Sequence, residues 1–212
     1  MDGSETEAAA ASAPQSRRER EKAAHREAIL DAAEAVFAEA GYPGAAIAEI
    51  ARRAEFSVGS IYNFFPGKRE LAGAVMLRIA TERVETVERE AMPLAADPRK
   101  GLPVFLRVWA RHRARHGMFV RMGLDWQRSQ GRVRPPENIV RLFESYRAAV
   151  ERFFAAGVPS GLYRPLPPAD LARASEGICR ELSFEWERAT PRRGEEELAE
   201  RLLAVVPALL EN

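Results

Sequence analysis

Apolar residues return at every third or fourth position along most of the chain, and nowhere do they alternate as a half-buried strand requires. The first run is Ile29, Leu30, Ala33, Val36, Phe37 and Ala40, closed by Gly41, a glycine stop directly after the last periodic residue. Pro43-Gly44 turns the chain, and Ile47, Ile50 and Ala51 mark a short second helix. Residues 68–92 carry Leu71, Val75, Leu77, Ile79 and Val84 on a long helix that Pro93 and the Asp97-Pro98 turn should end. More helices are expected at 103–116, with Phe105, Val108, Trp109 and His112 on one side, at 118–130, and at 138–156, with Phe143, Tyr146, Val150 and Phe153. A Pro- and Gly-rich loop at 157–168 leads to two last helices at 169–189 and 195–210, where Pro207 is expected to end or bend the second early. No fixed-period repeat is present, and the pattern predicts an all-α protein.

One stretch breaks this rhythm: AEFSVGSIYNFFPGKREL, residues 54–71. Ser57 suits the N-cap of a very short helix beginning at Val58. Ile61 and Phe64, three apart, would face inward against Phe37 and Ile50, leaving Val58, Gly59, Ser60, Tyr62 and Asn63 outward. Two short helices about a tight turn predict a helix-turn-helix. The outward residues are mostly small, hydroxylic or amide-bearing, so a helix carrying them can approach a DNA groove closely and bond phosphates or base edges.

Total charge adds little, since 32 Lys plus Arg stand against 31 Asp plus Glu; any nucleic-acid surface must be local. Residues 1–16, rich in Ala, Ser, Glu and Pro, are expected to form a flexible tail. Arg17, Arg18, Arg20, Lys22 and Arg26 then interleave with Glu19, Glu21 and Glu27, a run that reads equally as a DNA-contacting arm or as a solvated helix face laced with ion pairs. The single cysteine, Cys179, cannot close an intramolecular disulfide and reads as a small buried hydrophobe, which fits a reducing cytoplasm. The acidic start does not resemble a secretory signal, and the longest apolar tract, 202–210, is broken by Pro207, so no membrane association is expected. His112 and His116 have metal-compatible spacing, but no Cys or Glu completes a ligand set; neither a metal nor another cofactor is expected. No nucleophile elbow, phosphate loop or paired-acid motif points to an enzyme.

Residues 29–75, ILDAAEAVFAEAGYPGAAIAEIARRAEFSVGSIYNFFPGKRELAGAV, resemble the DNA-binding domain of the TetR/AcrR family of transcriptional repressors. The resemblance rests on the ILDAA and FAEAGY blocks, IAEIARRA, and SVGSIYNFFPGKREL at matching separations. It implies a three-helix DNA-binding domain at 17–70 and a helical ligand-binding and dimerisation domain at 71–212. It further implies a cytoplasmic homodimer that represses from a pseudo-palindromic double-stranded DNA operator until a small hydrophobic effector releases it. Tyr62 and Lys68 stand where the family contacts phosphates, and Gly59 and Ser60 where small residues touch bases or backbone. Val58 and Asn63 occupy variable contact positions. Ser57 and Ala46 open the two short helices, and Arg17, Arg18, Arg20 and Lys22 could add phosphate or minor-groove contacts.

Two places depart from the family pattern: Ala45 and Ala46 replace a capping Thr or Ser, and Glu55 replaces a glycine of the inter-helix turn. Glu55 costs more than glycine to place in a left-handed backbone and would repel nearby phosphates, so either the turn is rebuilt or DNA affinity is lower than the family's. An alternative favoured by these residues is a protein of the same shape that binds ligand without recognising DNA.

Beyond residue 100, Trp109, His112, Phe119, Met122, Trp126, Phe143, Tyr146, Phe153 and Phe184 are candidates to line an effector cavity, or else core. Leu171, Ser175, Ile178 and Leu182 form one stripe and Leu198, Leu202, Val205 and Leu209 another. These two stripes would either build a four-helix bundle with a twin subunit or pack within one subunit; the resemblance implies the former.

Overall fold

The computed structural model describes residues 16–128, 137–188 and 194–212, and among them eight α-helices and no strand. They are α1 (Arg17–Gly44), α2 (Ile47–Arg53), α3 (Val58–Phe64), α4 (Lys68–Thr86), α5 (Pro98–Arg128), α6 (Glu137–Gly157), α7 (Pro168–Arg188) and α8 (Glu195–Leu210). This is the expected all-α architecture. Ser16, the last residue of the expected tail, is the N-cap of α1 and closes a capping box in which Glu19 N–H donates to its Oγ and Ser16 N–H to Glu19 Oε2. Residues 1–15 lie outside the described residues.

Gly41 does break the first helix, as the glycine stop predicts, because its φ of 70° is left-handed; one further turn to Gly44 continues the element. The long helix after Lys68 ends its α geometry at Thr86, before Pro93. A π-turn over Val87–Ala91 and a 3-10 turn over Met92–Leu94 carry the chain on, with Val87 and Ala91 buried. The expected break between 116 and 118 is a kink rather than a loop: His116 has φ −122° and ψ 23° inside an otherwise continuous α5. Pro207 neither ends nor shortens α8, which runs to Leu210. Beyond it the last residues pair with the 161–164 loop, where Arg164 N–H donates to Leu210 O and Asn212 N–H to Leu162 O.

Two apolar cores share α4. The first joins Ile29, Leu30, Val36 and Phe37 of α1 to Ile50 of α2, Ile61 of α3 and Leu71, Val75 and Ile79 of α4. The second holds Val84 and Val87 against Leu102, Phe105 and Trp109 of α5, Phe153 and Phe154 of α6, and α7 and α8. Each fully buried Phe or Leu contributes roughly 1.5–3 kcal/mol relative to an exposed one. The division between the cores therefore falls within α4, between Ile79 and Val84.

Candidate nucleic-acid interface and effector recess

The helix-turn-helix is assembled from its backbone outward. The α2 helix ends in a Schellman motif: Phe56 N–H donates to Ala51 O at 2.9 Å and Glu55 N–H to Arg52 O at 3.3 Å. That motif demands a left-handed residue at its C′ position, and Glu55 supplies it with φ 61°. The expected strain is thus present, and the turn retains its hydrogen bonds without glycine. Ser57 caps α3 as predicted, accepting from Ser60 N–H at 3.0 Å, while its hydroxyl lies 2.8 Å from that of Ser60. Ala46 sits at the N-cap of α2 with no side-chain cap bond, and Ala45 is buried beside it.

Ile61 is fully buried and Phe64 partly so, which turns the opposite face of α3 to solvent. Tyr62 is 50 % exposed and Val58 41 %, with Gly59 and Asn63 also exposed and Ser60 half-buried. Lys68 opens α4 beside this face. Its ammonium donates to Pro43 O at 3.1 Å and lies 4.9 Å from the centre of the Tyr42 ring, a placement that leaves other N–H groups for a phosphate. Arg26 lies over the Phe65 ring and His25 meets the Phe56 ring edge-on, so α1 grips both ends of α3. From there Arg17, Arg18, Arg20 and Lys22 extend along an exposed part of α1, with Arg17 paired to Glu21 at 2.8 Å.

Residues 29–75 match the family described as bacterial regulatory proteins, tetR family. That segment, made of α2, α3 and the adjoining parts of α1 and α4, is what the chain shares with the TetR family. A 68-residue stretch is 44 % identical to the A-factor receptor protein of Streptomyces griseus, covering 31 % of this chain and about a quarter (23 %) of that protein's length. Over 188 residues the chain is 24 % identical to the uncharacterised HTH-type transcriptional regulator YhgD of Bacillus subtilis, covering 87 % of this chain and 96 % of that one. Its fold matches a TetR-family regulator structure from Mesorhizobium loti with a TM-score of 0.69 at 21 % identity, covering 93 % of this chain and all of the other. These likenesses are all to transcriptional regulators or their DNA-binding segment.

The C-terminal candidates fall in several places. Trp109, Tyr146 and Phe153 belong to the packed second core, and Phe143 packs on the first core from α6. Of the candidate effector residues, His112 lines a recess between α4 and α5, with Glu82, Arg83, Thr86, Val108, Arg111, Arg115 and His116. Phe184 is half-buried, its ring 5.3 Å from the Arg113 guanidinium. Phe119, Met122 and Trp126 lie outside the residues whose side chains are described.

Sequence reasoning missed the charged groups here. Arg113 is 1 % exposed and is held by Glu187 at 2.8 Å, Ser183 Oγ at 3.0 Å and Gly117 O at 2.9 Å. A Cβ on Gly117 would stand 2.5 Å from Glu187 Oε1, so any larger residue just past the kink would push this carboxylate aside. Arg83 is similarly enclosed, donating to Glu176 at 3.0 Å and to Tyr146 Oη with both the Tyr146 and Trp109 rings beside it. The available signal was an arginine inside an apolar i, i+4 series: Ile79-Arg83-Val87 and Trp109-Arg113.

The kink residue ties the two parts together. His116 Nδ1 lies 2.9 Å from Glu34 Oε1 of α1, and Arg78 of α4 holds Glu34 and Asp31 at 2.6 Å each and Glu27 at 3.3 Å. Burial pushes the Glu34 carboxyl up, but the His116 and Arg78 bonds outweigh it and leave the group below its ordinary range.

The dimerisation residues divide. Leu171, Ser175, Leu198 and Leu202 are completely buried within the single chain, which corrects their assignment to a subunit interface. The stripes run too deep because α7 and α8 pack on α5, α6 and one another before any partner arrives. Ile178, Leu182 and Val205 remain half-buried and Leu209 is 50 % exposed.

Proposed function

We propose that the protein is a homodimeric repressor that reads a pseudo-palindromic operator with α3 and leaves it when a small, largely apolar effector binds the C-terminal helices. The outward face of α3 carries the DNA-reading half: Val58, Gly59, Tyr62 and Asn63 are exposed on a helix fixed behind by Ile61, with Lys68 beside it. Ser57, Ser60 and Ala46 complete this surface, and the Arg17 to Lys22 arm adds positive charge along the flanking backbone. The effector half is supported by a recess between α4 and α5 that shares Val108 with the aromatic core of α5 and α6, on the helix common to both cores. Occupancy that favours one placement of α4 would alter the spacing of two reading heads, and operator and effector would then oppose each other by one coupling free energy.

Fluorescence anisotropy with duplexes from the intergenic region beside the gene tests the reading. Tyr62→Phe is expected to weaken operator binding by about 1 kcal/mol through one lost hydrogen bond. Lys68→Ala should weaken it more evenly across sequences and reduce the salt slope by about one. Wild-type affinity and salt slope in both variants would refute the assignment of α3 as the reading helix.

A further inference from the structure

The recess between α4 and α5 has walls unlike those of an apolar pocket. Val108 is its one hydrophobic side chain among the described residues, whereas three arginines and two histidines face it. Arg83 is fixed from behind by Glu176, and Arg111 from the side by Glu90 at 2.7 Å, so both are rigid cations with partners already in place. Arg115 is different. Its recorded partner is Glu82, whose Oε1 stands 3.8 Å from Arg115 Nη1 and whose Oε2 stands 3.9 Å from His116 Nε2. Both separations exceed a direct hydrogen bond. His112 stacks at 4.9 Å on the His116 ring, and burial together with Arg83, His116, Arg115 and Arg113 holds its imidazole far below the ordinary range, at about 2. The imidazole is therefore neutral, with one N–H to donate, inside a positive field.

We propose that this recess receives the oxyanion of an acidic effector, a carboxylate or phosphate group, between the Arg115 guanidinium and the His112 imidazole. The proposal rests on the effector-responsive reading above and supplies the polar anchor of that molecule. The entering anion takes the position that Glu82 approaches without reaching, and like charge drives the Glu82 carboxylate aside. Glu82 is a residue of α4, and His116, stacked on His112, is bound through Nδ1 to Glu34 of α1. Occupancy is thereby registered on two helices that carry the reading head.

Isothermal titration of the full chain without DNA tests the site. Octanoate, octyl phosphate and inorganic phosphate are compared with octan-1-ol and octylammonium, which match the tail but lack the anion. At least one oxyanion should bind tenfold or more tightly than the alcohol and the amine, and inorganic phosphate alone would mark a free ion as the source. Arg115→Gln and His112→Gln should each lose roughly tenfold to a hundredfold in that affinity, the range of a charge-assisted hydrogen bond. Arg115 is 64 % exposed, so its variant retains the fold, as its unfolding midpoint will verify. Equal binding of the alcohol or amine, no heat from any anion, or an unchanged anion affinity in Arg115→Gln overturns the proposal. Anion binding that leaves operator affinity untouched would instead refute the effector reading and keep the site.

Discussion

Glu55 concentrates two opposing costs in one side chain. Its left-handed backbone serves the Schellman motif that positions α3, yet a Cβ in that region is strained by about 1–2 kcal/mol. Glu55→Gly relieves the strain and removes a negative charge close to the reading face, at a smaller entropic cost in the unfolded chain. The variant is expected to gain about 0.5–1 kcal/mol in urea unfolding and to bind operator more tightly at 50 mM salt, with the advantage shrinking at 200 mM as screening grows. His112 offers a pH test of its own. Its folded pKa of about 2 lies below the ordinary 6.5, so the unfolded chain takes up the proton first as pH falls. Stability from this residue is complete above pH 6.5 and declines below it, by on the order of 2 kcal/mol at pH 5. His112→Gln should flatten the difference between unfolding free energies measured at pH 5 and 7.5. The exposed face of α3 was legible from residue type and spacing because Ile61, Ser57 and Tyr62 act through local geometry. The recess was not, since Arg83, Arg111 and Arg115 gain their meaning from which helix crosses them.

Among the elements, α4 is decisive because both cores use it. Its first turns bury Leu71, Val75 and Ile79 among α1 to α3, and Val84 begins the second core. Between these stands Arg78, which gathers Glu27, Asp31 and Glu34. Those three carboxylates occupy i, i+4 and i+7 on α1, so without the guanidinium they repel one another along a single face. Arg78→Ala is expected to destabilise the protein by about 1–2 kcal/mol, a value kept modest by the partial exposure of the guanidinium. Arg78→Lys should recover only part of it, since an ammonium cannot engage the acids as a planar fork. Urea titrations at neutral pH measure both, and the loss should diminish only at a pH low enough to protonate Glu34, whose carboxyl His116 and Arg78 hold below its ordinary range. Helix identities followed from periodicity, as did the breaks at Gly41 and near His116. The π-turn after Thr86 did not, because Pro93 signalled a stop while buried Val87 and Ala91 sustained a helical path up to it.

At the scale of the molecule, the sequence showed where apolar faces exist but not which neighbour covers them. The stripe containing Leu198 and Leu202 is consumed by the chain's own second core, whereas Leu209, one turn from the C-terminus, keeps half its surface in solvent beside half-buried Val205. On α7 the corresponding positions are Ile178 and Leu182. A twofold interface built on these four residues repeats each contact, so one substitution counts twice in the dimer. Leu209→Glu should therefore cost dimerisation about 3 kcal/mol or more, from two unburied leucines and two desolvated carboxylates, while the subunit fold stays intact. Leu202→Ala should do the reverse, lowering subunit stability by about 2–5 kcal/mol through a core cavity. Sedimentation equilibrium and thermal unfolding on both variants separate the two effects. If Leu209→Glu sediments as the wild type does, the partner surface lies elsewhere. If it becomes monomeric and also loses operator affinity, the paired placement of two α3 helices is what the DNA requires, because a single half-site contact would survive the loss of the partner.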